Sequence, residues 1–165
     1  MGPFLAHNHL SRGELITFSL RGQRPRMTVV YDALFDHRMQ LNDDETNNLL
    51  DKLPSRDYYV GLPFVTRLRR TNVNICHIMK LPKSLAMICG IEADEAGFVG
   101  VCLTTTGSVS TCAYVADTDD RIVLSAMGWR DFLVGKNLHD GQAIIGTIRK
   151  TTRHDLRMMI VIDII

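Results

Sequence analysis

Apolar and polar residues alternate in short runs through the second half of this chain. Pro63-Phe64-Val65-Thr66-Arg67-Leu68 reads as a half-buried strand. A polar turn over Arg69–Asn74 leads into a second strand, Ile75–Leu81, which Pro82 ends. Lys83–Cys89 predicts a short helix, with Pro82 compatible with its first turn. Phe98–Thr104 and Val109–Val115 are rich in β-branched and aromatic residues, and Gly107-Ser108 between them signals a hairpin. Asp117–Asp120 is the next turn and Arg121–Leu124 the next strand. Met127–Val134 has helical spacing, with Trp129, Phe132 and Leu133 on one side and Gly135 close to a C-cap. Ala143–Ile148 and Arg157–Ile164 close the unit. About seven short strands and two short helices predict a mainly β fold, a small barrel or curled sheet with helices at its openings.

Part of the chain occurs twice. Residues 4–21 (FLAHNHLSRGELITFSLR) align with residues 132–149 (FLVGKNLHDGQAIIGTIR) at a constant offset of 128. Phe4/Phe132, Leu5/Leu133, Leu10/Leu138, Gly13/Gly141, Ile16/Ile144 and Arg21/Arg149 are identical. After a three-residue slip the match resumes, Arg26–Asp32 against Arg157–Asp163. A repeated helix end, turn, strand, polar hairpin and strand indicates internal duplication. The second copy follows further strand-like sequence over 64–131, whereas the first begins almost at Met1. Residues 1–33 are therefore expected to be the truncated C-terminal strands of a first unit. Residues 34–58, with Leu-Asn-Asp-Asp-Glu-Thr-Asn-Asn and Leu-Pro-Ser, read as an acidic linker, and 59–165 as the complete unit. A two-stranded tail buries too little to stand alone in water; it must dock on the complete unit, pair with another chain or stay mobile.

Composition narrows the function classes. With 45% apolar and 22% charged residues among 165, the chain can build one domain core and is not disordered overall. Its longest apolar runs, such as Met158–Ile162, are far short of the ~20 residues of a membrane helix. No secretion signal is readable, so a soluble intracellular chain without membrane association is expected. The net charge of +1 averages two unlike runs. Residues 67–83 carry Arg67, Arg69, Arg70, Lys80 and Lys83 with no acid, whereas 41–57 carry Asp43, Asp44, Glu45, Asp51 and Asp57 against Lys52 and Arg56. A ligand touching one run would feel that one, because charges beyond a Debye length of ~8–10 Å are largely screened.

Catalytic and metal signatures are missing. Cys76, Cys89, Cys102 and Cys112 form no Cys-x-x-Cys pair and read as reduced thiols in apolar runs, so no metal or other cofactor is expected. His7-Asn8-His9 spells a nuclease motif's name, but such nucleases disperse those residues along a hairpin and helix. Ser84, Ser108, Ser110 and Ser125 lack a Gly-x-Ser-x-Gly setting, and the glycines form no phosphate-cradling loop. Asp117, Asp119 and Asp120 share one polar turn and read as solvated. The pattern is not that of an enzyme, and no small-molecule substrate is expected.

Gly128-Trp129-Arg130-Asp131-Phe132-Leu133, followed by Asn137-Leu138-His139-Asp140-Gly141, resembles the Gly-Trp-x-x-Phe…Asn-x-Leu-x-x-Gly-Asp signature of the plant B3 DNA-binding domain family. Phe64-x-x-x-Leu68, Thr71-Asn72-Val73 and Leu81-Pro82-Lys83 are similar to that family's first strand, its polar arm and the element after its second strand. The resemblance spans roughly residues 60–164, and 1–33 looks like the last strands of a preceding unit, a tandem arrangement suggesting the reproductive-meristem branch. Gln142 stands where the family usually has Asp. The resemblance implies a seven-stranded open pseudo-barrel with two short helices, and two arms that clamp the DNA major groove.

The first arm would supply Arg69, Arg70, Thr71, Asn72 and Asn74, with Arg67 a further DNA-binding candidate just before it. The second is Asp117, Thr118, Asp119, Asp120 and Arg121, of which Thr118, Asp119 and Arg121 would contact DNA. Arg can bridge guanine acceptors, Asn can pair with adenine, and Thr can hold phosphate. Lys80 and Lys83 would add phosphate contacts, each worth roughly one unit of salt slope. The resulting expectation is a nuclear transcription regulator binding double-stranded DNA. The acidic second arm supports an alternative, a B3-like interaction module without DNA affinity. Such a module would form homo- or hetero-oligomers through its N-terminal hairpin, by strand addition.

Overall fold

The computed structural model describes residues 14–19, 26–32, 41–53, 58–103, 107–119 and 121–165. They form nine strands: β1 (Glu14–Ser19), β2 (Arg26–Asp32), β3 (Val60–Arg67), β4 (Met79–Lys80), β5 (Ala96–Leu103), β6 (Val109–Ala116), β7 (Ile122–Leu124), β8 (Ala143–Arg149) and β9 (Met159–Ile164). Three α-helices accompany them: α1 (Asp43–Lys52), α2 (Lys83–Ile88) and α3 (Ala126–Gly135). The strands make one sheet in the order β1-β2-β3-β8-β9-β5-β6-β7-β4. The fold is mainly β, a curled open half-barrel with a few short helices. Strands β3 to β9, seven in number, all lie within residues 59–165. The first two of these strands stand at opposite edges of that set, so the segment joining them crosses the open side.

Alternation along each strand divides the sheet into two faces. Phe64, Ile144 and Ile148 point into the half-barrel, where they join Leu68, Leu81, Leu85, Val101, Trp129 and Phe132 in the main core. Their neighbours Val65 and Ile145 point outward into a second cluster with Leu49, Ala143 and Ile165. Burying a leucine or phenylalanine side chain contributes about 1.5–3 kcal/mol, so the main core dominates by sheer number.

Backbone contact explains the Gly-Trp element. A Cβ on Gly128 would lie 2.5 Å from the Thr111 carbonyl oxygen and 2.7 Å from Cys112 Cα, so only glycine lets α3 rest on β6. Trp129 and Phe132 then stack with centroids 5.4 Å apart, both fully buried. The helix stops where Asn137 turns left-handed (φ 52°), and Leu138 N–H reaches back to Leu133 O at 2.9 Å. That six-to-one closure is a Schellman end with Asn in the left-handed position, two residues beyond Gly135. Leu138, directly after it, is buried.

Two expectations change. The second strand, expected over Ile75–Leu81, is only Met79–Lys80. Ile75 instead ends a π-helical turn, Thr71–Ile75, closed by Cys76 N–H to Thr71 O at 2.9 Å. Ile75 is 61% exposed, so its apolar character marks no buried face. The stretch read as a linker contains α1, packed on the sheet through Leu49. The topology requires some such device. Strand β2 runs parallel to β3, with Tyr31 opposite Phe64 and Asp32 opposite Val65, and parallel neighbours need a long crossover rather than a tight turn. Asn42 and Glu45 form a reciprocal capping box at the start of α1, each side chain bonded to the other's backbone N–H.

The two segments that align in sequence both contain antiparallel hairpins, β1 with β2 and β8 with β9. In each, the second strand has a parallel neighbour: β3 beside β2, and β5 beside β9. The N-terminal hairpin therefore docks on the edge of its own chain. Among the described residues no helix is long and apolar enough to cross a membrane.

Candidate nucleic-acid interface

Arm 1, residues 68–78, is bolted at its base. Leu68 N–H donates to Gln142 O and Gly141 N–H donates to Leu68 O, both at 2.8 Å. Above that base, Asn72 N–H and Val73 N–H both reach Arg69 O, at 2.8 and 3.1 Å. The Asn72 side chain pins the arm internally. Its Oδ1 accepts from Arg69 N–H at 3.1 Å and its Nδ2 donates to Ile78 O at 2.8 Å. Asn72 is thus a strut joining the arm's two limbs, with much of its amide used before any ligand arrives. Val73 packs against the main core, while Arg69, Arg70, Thr71 and Asn74 are exposed. His77 closes the arm with φ 49°, a left-handed conformation that costs a non-glycine residue about 1–2 kcal/mol.

Arm 2, residues 117–121, is a tight turn closed by Asp117 N–H to Arg121 O at 2.7 Å. Its acidity is largely answered within the molecule. Asp117 Oδ2 lies 3.0 Å from Lys80 Nζ, and its Oδ1 accepts from Thr118 N–H at 2.8 Å. The Lys80 hydrogen bond, then the Thr118 amide, hold the Asp117 carboxyl below its ordinary range. Asp119 Oδ2 is 3.3 Å from Arg121 Nε, an ion pair without hydrogen-bond alignment. Thr118 and Asp119 are exposed, Arg121 is half-buried, and Asp120 lies outside the described residues.

The arms meet across one short ladder. Met79 pairs with Leu124 and Lys80 with Val123, and Leu81 N–H donates to Ile122 O at 2.8 Å. Arm 1 enters this ladder where β7 ends, and arm 2 enters where β7 begins. Three residues of strand separate them, roughly 10 Å at about 3.3 Å per residue. Lys80 sits on this ladder and Lys83 opens α2 just beyond it, both exposed.

Arg67 is placed differently. It ends β3 with its guanidinium clamped by Glu45: Nη1 to Oε1 at 2.8 Å and Nη2 to Oε2 at 2.7 Å. Nη1 also donates to Gly141 O at 2.7 Å. The Glu45 bond raises the Arg67 pKa further, and the same bond lowers that of Glu45. Of the residues singled out in the sequence, the structure gathers Arg69, Arg70, Thr71 and Asn74 on arm 1, and Thr118, Asp119 and Arg121 on arm 2. Lys80 and Lys83 lie between them, while Arg67 and Asn72 are engaged inside. Glu45, the partner of Arg67, was not among those residues, and Asp117, the partner of Lys80, was read only as part of the acidic second arm. The Asn42-x-x-Glu45 spacing was the available signal for the first.

Among the described residues no cluster of His, Cys, Asp and Glu side chains is suited to a metal ion. Burial pushes the Cys112 thiol up to about 11 and raises Cys89 and Cys102, whereas Cys76 is exposed on arm 1.

No family model matches the chain, and no curated protein does. Among solved structures, it is similar to a hypothetical protein of Arabidopsis thaliana at 15% identity and TM-score 0.47, covering 65% of this chain and 93% of that one. It is also similar to the Arabidopsis FUS3–DNA complex at 22% identity and TM-score 0.40, covering 60% of this chain and 93% of that one.

Proposed function

We propose that this chain binds double-stranded DNA through the major groove as a B3-type domain, and acts in the nucleus as a transcription regulator rather than an enzyme. The observation that carries the reading is arm 1: Arg69 and Arg70 are exposed on a loop whose base and limbs are fixed by backbone and Asn72 hydrogen bonds. Pre-ordering of this kind lowers the entropic cost of binding. The two ends of β7, from which the arms lead off, lie roughly 10 Å apart, on the scale of a groove about 12 Å wide. In this reading Arg69 and Arg70 approach base edges, Thr71, Asn74 and Thr118 hold phosphate or sugar, and Lys83 contacts phosphate. Arg67 and Asn72 shape the arm. Pairing of Asp117 with Lys80 and of Asp119 with Arg121 removes much of the repulsion that the acidic arm would otherwise exert. Residues 59–165 are the complete unit in this reading, and 1–33 the trailing strands of a preceding one.

The test is a fluorescence-anisotropy titration with duplex of random sequence across salt concentrations. Binding should tighten as salt falls, with a linear log–log dependence. Arg69→Ala and Arg70→Ala should each cost roughly 1–3 kcal/mol where the residue reads a base. An absence of binding even at about 50 mM salt would rule the reading out.

A further inference from the structure

We propose that Glu45, on the helix that precedes the seven-stranded unit, is a positioning residue for arm 1. The inference rests on the DNA-binding reading and adds the part that fixes the arm's exit from the sheet. Arg67 is the last residue of β3, two positions before Arg69. Its guanidinium holds three short bonds at once, two to Glu45 and one to Gly141 O. Gly141 in turn donates its N–H to Leu68 O. The chain leaving the sheet is therefore gripped on both sides within two residues of the exposed arginines.

Glu45 can act as a fixed post because it is itself fixed. Its Oε2 also accepts from Asn42 N–H at 2.9 Å, completing the capping box of α1. Leu49, one turn further along, is fully buried against Val65, Ala143, Ile145 and Ile165. The carboxylate is only 13% exposed and the Arg67 side chain 28%, so solvent and salt screen the pair less than a surface contact. A bidentate Arg–carboxylate pair fixes orientation as well as distance. A phosphate would have to displace both carboxylate oxygens to recruit Arg67. The consequence is that α1, although remote in sequence from the arm, belongs to its foundation.

The variant that isolates this contact is Glu45→Gln in the full chain. Glutamine retains the capping box but removes the charge facing Arg67. Amide hydrogen exchange should accelerate at Leu68 and Gly141 by roughly three- to tenfold, the scale set by the net worth of one ordinary hydrogen bond, while Val101 in β5 stays unchanged. Affinity for random-sequence duplex should fall by a similar roughly three- to tenfold factor with an unchanged salt slope, because no phosphate contact is lost. Leu49→Ala, which loosens the same helix from below, should reproduce both effects. Unchanged exchange at Leu68 and Gly141, or equal acceleration at Val101, would overturn the inference. So would tighter binding with a slope steeper by about one, which would make Arg67 a sequestered phosphate contact. If the unsubstituted chain binds no duplex, the DNA-binding reading fails, and the exchange pattern alone then decides the role of Glu45.

Discussion

Replacing Gly128 by alanine tests how α3 is seated. Glycine-to-alanine changes inside a helix usually stabilise, by about 1 kcal/mol, because alanine restricts the unfolded chain and suits the helix. Here the added methyl would sit 2.5 Å from the Thr111 carbonyl oxygen and 2.7 Å from Cys112 Cα. Both obstacles are backbone of β6, which cannot rotate aside. Restoring ordinary contact requires α3 to retreat by nearly an ångström, and Trp129 and Phe132 ride on the same turn. Overpacking on this scale costs about 1–3 kcal/mol or more, which outweighs the propensity gain. The expected net loss is about 1–2 kcal/mol, a lowered urea midpoint at constant slope and a Tm reduced by roughly 2–8 °C. Gly135, the last residue of the same helix, supplies the control. No atom lies within 4 Å of its Cβ position, so Gly135→Ala should be neutral or raise the midpoint. Should Gly128→Ala equal or exceed the unsubstituted chain in urea, α3 does not rest on β6 as described.

Three further outcomes are expected. Leu49→Ala removes the fully buried anchor of α1 and should cost about 2–3 kcal/mol, read as lost amide protection in α1 before β5 or β9 is affected. Asp117→Asn releases Lys80, so duplex affinity should rise and the salt slope should steepen by about one; weaker binding would show that Asp117 itself contacts the DNA. Burial, and then the Glu95 hydrogen bond, push the Tyr114 hydroxyl from 10 up to about 12, so the folded state keeps its proton longer than the unfolded chain. That contribution is fully present below pH 10 and is lost as pH rises towards about 12, so alkaline unfolding should begin in that window and Tyr114→Phe should flatten it.

Much of the fold was legible in the sequence because β5 to β9 obey simple rules. Phe98–Thr104 and Val109–Val115 alternate and are β-branched, and Gly and Asp mark their turns, so expected and observed strands differ by only a few residues. The second strand was read too long because Ile75, Cys76 and Ile78 are apolar. Their exposure reflects the π-helical turn and the Asn72 bonds, which draw the backbone away from the sheet. Helix α1 was missed for the opposite reason: eight of its ten residues are polar or charged in a run that resembles a linker, and Leu49 is its one fully buried side chain. Residue types in the candidate site were readable; their partners were not. Glu45 and Arg67 are 22 positions apart, and Lys80 and Asp117 are 37 apart. Only the folded sheet brings those charges together, pairing Arg67 with Glu45 and Lys80 with Asp117.

Backbone amide shift mapping of the chain during titration with duplex DNA locates the contact surface residue by residue. The largest changes should cluster on residues 69–78, 118–121 and 80–83. The outer face around Phe98 and Val109, exposed and several strand residues away from both arms, should stay silent. Changes centred on that outer face, or none at either arm under low-salt conditions, would contradict the DNA-binding reading.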